Sequence, residues 1–238
     1  GEGGEIVTTN RLPEAEVSGR VRLSFVEADG DYEIRAVESI FPDEATTSVA
    51  RSELPLALTA AECQGVVERW LADALAERGA GDAVTMMTSR NLSCFTEAAA
   101  RVGDVEAHAV TTVGFANAER VGQRIDRSGK DWGTINIALR LSVGLTEPAL
   151  LEAMSIAVQA RTAAVKDAHL KLPSGFATGT GTDCVAVASP AGAVRYAGLH
   201  TDLGEAIGQA TYGAVTEAAQ AWIAEHAVLD ETGHWGVA

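Results

Sequence analysis

The sequence predicts an α/β or α+β protein: a single domain with a mixed β-sheet covered by helices. Three observations carry this expectation. Ile135, Ile137, Leu139 and Leu141 alternate with Asn136, Ala138 and Arg140, which is the period of a strand. Thr146-Glu147-Pro148 then opens a long helical stretch, with Thr146 as N-cap and proline in the first turn. Strand-like and helix-like segments alternate from there on, the pattern of a sheet covered by helices. The stretch from 146 to 166 joins strand segments at 134–141 and 182–188. It is expected to be a crossover, of the right-handed kind, between parallel neighbours of one sheet.

The elements follow in order. Residues 1–19 are polar and glycine-containing and read as a flexible arm, which leaves 20–238 as the domain. Val21, Leu23 and Phe25 alternate with polar neighbours. Ile34 and Val37, after Asp29-Gly30-Asp31, mark a hairpin partner. Thr59 with Glu62 forms a capping-box pattern. Val66, Val67, Trp70, Leu71, Ala74 and Leu75 then make a helical stripe that Gly79 stops. Residues 83–87 read as a short buried strand, 90–100 as a short helix or ordered loop, and 105–114 as a strand. Leu150, Leu151, Met154, Ile156, Ala157 and Val165 are the apolar positions of the helix after Thr146. Residues 196–201 read as a loop or short strand. Asp202 is expected to cap a last helix carrying Ala206, Ile207, Tyr212, Val215, Ala219 and Trp222.

At 238 residues, 47% of them hydrophobic, the chain can bury a large core; aromatics are only 5%, so aliphatic residues and alanine must fill it. The net charge of -15 argues against nucleic acid and anionic membrane as partners, because both select basic patches. No apolar run approaches the roughly 20 residues that span a bilayer, and no signal peptide reads at the start. Cys63, Cys94 and Cys184 are odd in number and widely spaced, which fits neither a disulfide framework nor a zinc site. The expectation is a reduced, cytoplasmic protein acting on a small molecule, without metal or other cofactor; a homo-oligomer is left open.

The run Ala177-Thr178-Gly179-Thr180-Gly181-Thr182-Asp183 dominates the search for chemistry. If extended, it places Thr178, Thr180 and Thr182 on one face, a row of hydroxyls ending in a carboxylate. Glycine between them lets a ligand approach the backbone. Three more polar clusters fall at predicted strand ends: 111–117 with Asn117, 133–136 with Thr134 and Asn136, and 200–205 with His200 and Glu205. Strand ends and their loops are where open α/β sheets carry sites. Asn and Thr supply donors for a carbonyl oxygen, and Asp183 can orient or activate water. Cys184 is expected to be a buried small hydrophobe and Cys94 to be more exposed. His108 and His169 are expected to be structural. No nucleophile elbow, P-loop or metal-spaced set is present.

One resemblance emerges from these residues taken together. Gly114-Phe115-Ala116-Asn117-Ala118, Gly133-Thr134-Ile135-Asn136-Ile137, Thr162-Ala163-Ala164 and 177–183 occur in the order seen in the adenosylcobinamide amidohydrolase family. Tyr196-Ala197-Gly198 and Leu203-Gly204-Glu205-Ala206-Ile207-Gly208 resemble that family's C-terminal stretch. The likeness runs from about Met86 to about Ala219. It implies an amidohydrolase-like domain that removes the aminopropanol arm of adenosylcobinamide and leaves adenosylcobyric acid, in corrinoid salvage. Asp183, Asn117, Asn136 and Thr134 are then the expected catalytic residues, and Thr178, Thr180, Thr182, His200 and Glu205 the expected substrate contacts. Water held by Asp183 is the expected nucleophile, with a Thr or Ser hydroxyl as the alternative. Two rivals stand beside this: the same scaffold acting on a smaller amide or amidine, and a non-catalytic corrinoid binder.

Overall fold

The computed structural model describes residues 94–125, 133–190, 192–229 and 235–237, the strand backbones of 21–28 and 31–39, and positions 72, 73, 76, 84, 86, 88 and 90. The arm expected at 1–19 lies outside these residues. So does most of the helix expected between Thr59 and Gly79, of which positions 72, 73 and 76 are helical. The early hairpin is present: β1 (Val21–Ala28) pairs antiparallel with β2 (Asp31–Ser39).

The chain continues with β3 (Thr96–Val102), β4 (Val105–Val113), the two-residue β5 (Ala118–Glu119) and β6 (Ile135–Leu141). Helix α1 (Glu147–Asp167) leads to β7 (Leu170–Leu172), β8 (Gly175–Phe176), β9 (Gly179–Thr180) and β10 (Cys184–Ala188). Helix α2 (Asp202–His226) precedes β11 (Ala227–Leu229) and β12 (Trp235–Val237). The main sheet runs β10-β6-β4-β3. β6 and β10 are parallel neighbours, as expected of strands joined through α1, while β4 is antiparallel to both β6 and β3. The sheet is therefore mixed. A smaller sheet runs β11-β12-β7-β8, and β5 pairs with β9.

Register sorts the main sheet into two faces. On the face covered by the helices, Ala107, Ala109, Leu139 and Leu141 pack in one cluster with residues of both helices, and Val113, Ile135 and Ile137 in a second. Full burial of a side chain such as Ile137 or Leu139 contributes roughly 1.5–3 kcal/mol each. The alternate residues Val110, Thr112, Asn136 and Ala138 point away from the helices and are buried too. β6 is thus buried on both faces, although its sequence alternates.

Several expectations need correction. Residues 96–102 are strand, not helix or loop. Alanine's helix preference is a weak prior. Here the Gly103-Asp104 turn, with Gly103 at φ +57°, folds the segment back on β4. Ala98, Ala100 and Val102 then pack on the core, and Thr96 Oγ1 donates to the Ala214 carbonyl at 2.7 Å. Among 83–87 the described positions Val84 and Met86 are not strand, and Val84 is exposed. The buried stripe of α1 runs through Ala149, Ala153, Ile156, Ala157, Ala164 and Val165, whereas Leu151 and Met154 face solvent. Alanine lets α1 lie close to α2, whose own inner face is Ala206, Ala210, Ala214 and Ala218. The cap of α2 is Thr201, whose hydroxyl accepts from Gly204 N, and Asp202 is the first helical residue.

Candidate active site

β6 and β10 begin side by side. Cys184 is the register partner of Asn136, and Asn136 is the partner of Thr112 on β4. Three of the four polar clusters, with the 114–118 loop, therefore meet at one end of the sheet. It is the amino end of the two parallel strands, opposite to the carboxyl end where such sheets usually carry ligands.

On the side towards α1, Asp183 gathers the loop around itself. Its Oδ1 accepts from Ile135 N at 3.2 Å, Thr180 N at 3.1 Å and Thr180 Oγ1 at 2.5 Å. Its Oδ2 accepts from Thr180 N at 3.0 Å and from Arg161 Nη1. Arg161, on α1, also donates to the Thr178 carbonyl at 3.2 Å. The ion pair is largely buried, with side-chain exposures of 13% and 11%, and Arg161 Nε is left without a partner. Gly179 makes this approach possible: a Cβ there would collide with Arg161 Nη1 and Asp183 Oδ2. Thr178 Oγ1 accepts from Val121 N at 2.7 Å and so pins the 120–123 turn to the same loop.

On the other side lie Asn117, Thr134, Asn136 and Thr182. Thr182 Oγ1 donates to the Gly133 carbonyl at 2.8 Å and accepts from Asn117 Nδ2 at 3.5 Å. Thr134 Oγ1 donates to the Thr182 carbonyl at 2.6 Å and lies 3.5 Å from Asn136 Oδ1. Thr182 N, 3.4 Å from Thr180 Oγ1, links the two sides. Asn117, Thr134 and Asn136 are buried. Asn117 Oδ1 and Thr112 Oγ1 are buried without a partner, a situation costing about 1–3 kcal/mol per group in a closed core. Gly133 makes room for Asn117: a Cβ there would sit 2.8 Å from Asn117 Oδ1.

The structure thus brings together Asn117, Thr134, Asn136, Thr178, Thr180, Thr182 and Asp183. The three threonines do not share one face, because only Gly179–Thr180 is strand and residues 181–182 turn. Asp183 turns to the helix side and Asn136 to the other. His200 and Glu205 do not join them. They are exposed at the start of α2, where Asp202 abuts Gly103, at the opposite end of β6. Seven strand residues separate the two ends by about 20 Å, and Glu205 accepts from Gln209 instead.

Sequence reading missed Arg161, although a signal was present. It falls on the buried stripe of α1, between Ala157 and Ala164, where a charge requires a partner. Cys184 was expected to be buried but is exposed, because it starts an edge strand. Partial burial and the charge of Asp183 push its thiol pKa up. Burial pushes His108, on β4, down. Among the described residues no three His, Cys, Asp or Glu side chains gather as a metal site, and no helix is long and apolar enough to cross a membrane.

Comparison with known proteins identifies the family of the chain. An uncharacterized protein of Methanocaldococcus jannaschii is 39% identical over 90 residues, 36% of this chain and 35% of that protein. The chain thus spans about a third of that relative's length. No solved structure matches. A family model described as adenosylcobinamide amidohydrolase matches residues 45–227, a span that takes in α1, α2, the whole main sheet and every residue of the polar cluster. The chain belongs to the adenosylcobinamide amidohydrolase family.

Proposed function

We propose that the chain hydrolyses a C–N amide bond at the start of β6 and β10, and that its substrate is adenosylcobinamide, cut to adenosylcobyric acid and aminopropanol. Asn117 Oδ1, buried without a partner beside Thr134, Asn136 and Thr182, is the observation that carries this. It is an acceptor suited to an amide N–H. The Asn117 side-chain amide, whose one hydrogen bond is long, is close by as a donor for the carbonyl oxygen, on which negative charge develops during attack, with Thr134 and Asn136 beside it. The family supports the corrinoid as substrate. The free thiols of Cys94 and Cys184 suit a reduced, cytoplasmic setting.

Proton transfer falls to Asp183. Thr180 Oγ1 already donates to it at 2.5 Å, and Arg161 fixes the carboxylate. Thr180 relays a proton from the attacking water to Asp183; water adds to the carbonyl carbon, the C–N bond breaks, and the proton passes to the departing amine. The same contact favours a second reading, in which Thr180 attacks and forms an ester that water clears. Thr178 and Thr182 hold the loop around the reacting group.

The test is incubation with adenosylcobinamide, with product masses expected to sum to substrate plus one water. A transient corrinoid adduct on Thr180 selects the ester route, and direct entry of ¹⁸O from water without an adduct selects the relay. Hydrolysis of small amides or amidines with adenosylcobinamide left intact removes the corrinoid from the assignment. Corrinoid binding without any turnover removes the enzyme.

A further inference from the structure

We infer that the row Thr112–Asn136–Cys184, on the face of the main sheet turned away from both helices, is a substrate-binding wall that receives a hydrogen-bonding side arm such as a primary carboxamide. The inference rests on the amidohydrolase reading and extends it to residues outside the Asp183 cluster.

Register places the three side chains in one line. Thr112 pairs with Asn136 and Asn136 with Cys184, so all three leave the sheet on the same side. Their sequence neighbours Val113, Ile135, Ile137 and Val185 go into the core under α1 and α2. Adjacent strands lie about 4.8 Å apart, so the row is about 10 Å long. That length suits an extended arm better than a single atom.

The inner end of the row is the second independent observation. Thr112 is 3% exposed, and its Oγ1 has no partner. The adjacent Thr111 shows how such a hydroxyl is normally satisfied, since its Oγ1 donates to the Asn136 carbonyl at 2.7 Å. Thr112 is one step away and on the other face, and it finds nothing comparable. A hydroxyl left unbonded in a closed core is a cost without return, whereas in a binding wall a ligand completes it. The outer end of the row is open, because Cys184 is exposed on edge strand β10. The next row inward, Val110, Ala138 and Ala186, is small and apolar. Asn136 stands in the middle of the row, 3.5 Å from Thr134 Oγ1, which ties the wall to the reacting group.

The test uses the cysteine as a reporter. The full chain is labelled with N-ethylmaleimide in mildly alkaline buffer, with and without saturating adenosylcobinamide, and each cysteine is followed by peptide mass. The expected result is at least a tenfold slower reaction at Cys184 with corrinoid present, and no change at Cys94. Binding is read separately from the visible absorbance that co-elutes with the protein. Corrinoid binding or turnover with Cys184 labelled at its free rate overturns the wall and leaves the amidohydrolase reading standing. Neither binding nor turnover sinks that reading, and the wall with it. Cys184→Trp should raise KM at least tenfold with kcat within twofold, and Thr112→Val should raise KM in the same sense. Wild-type KM in both variants overturns the inference even if the labelling result agrees.

Discussion

The two sides of the sheet end both use threonines beside glycine, but one is centred on a charged pair, Asp183 and Arg161, and the other on the neutral amides of Asn117 and Asn136. Towards α1, the oxygens of Asp183 take up two backbone N–H groups, a hydroxyl and a guanidinium. Away from α1, Asn117, Thr134 and Asn136 are as buried as that knot while Thr182 is exposed, and Asn117 Oδ1 and Thr112 Oγ1 have no partner. The Asp183 carboxylate is saturated, although Arg161 Nε beside it is not, whereas the other side keeps two buried oxygens unsatisfied. In the proposed reaction the proton-transfer pair and the amide-holding groups thus stand on two faces of one sheet end.

The largest expected effect that bears on this division is structural. Asp183→Asn removes the charge facing Arg161 in a largely buried pair, and breaking such a pair costs about 3–5 kcal/mol. Urea unfolding should show a midpoint well below wild type. A variant of wild-type stability that has lost its turnover would mean that Asp183 serves chemistry alone and that the pair with Arg161 does not hold the fold.

Asn117→Ala is expected to behave in the opposite way. It removes an unpaired buried acceptor and one long hydrogen bond, so stability should stay within about 1 kcal/mol. Turnover should fall by about 10²-fold, as when one donor to a developing oxyanion is lost. Equal losses of stability and activity, measured on the same preparation, would erase the distinction.

How much of this was legible follows from which interactions are local. β6, α1 and β10 could be read because alternation, an N-cap and apolar spacing are written along the chain. The strand at 96–102 could not, since its alanines become strand only against β4 and α2. Asn117, Thr134, Asn136 and Asp183 were visible as polar residues beside glycine. Their partition between two faces depends on the register of Cys184 with Asn136, which no spacing reveals. His200 and Glu205 looked equivalent to them because a strand end has the same composition at either end of a sheet. Thr112 was passed over because a threonine in a strand is ordinary until its hydroxyl is found without a partner.

The smallest expected effect concerns the outer face farther from the site, where His108 sits 3.6 Å from Glu97 and in register with Arg140. Burial lowers its pKa, with Arg140 adding to this and Glu97 and Glu106 opposing it. A folded-state pKa below the unfolded one means that the unfolded chain binds the proton first, so stability rises with pH in this range. On acidification the loss should begin near the unfolded value of about 6.5 and end once the folded group is also protonated. Thermal midpoints between about pH 7 and 5 should fall less in His108→Gln than in wild type. Identical slopes would show that this face does not sense His108.

The crossover through α1 has a consequence for how the protein comes into being. Parallel strands cannot zip from a hairpin, and they must wait for the connection between them. Ile135 N and the Asp183 carboxylate are 48 positions apart, and Arg161 lies on the intervening helix. The knot can therefore close only after α1 has docked and the chain has returned along β6, a non-local step of the kind that slows folding. Until that return the main sheet lacks β10 and the polar cluster is not assembled. The proposed site is thus complete only when β10 has joined β6.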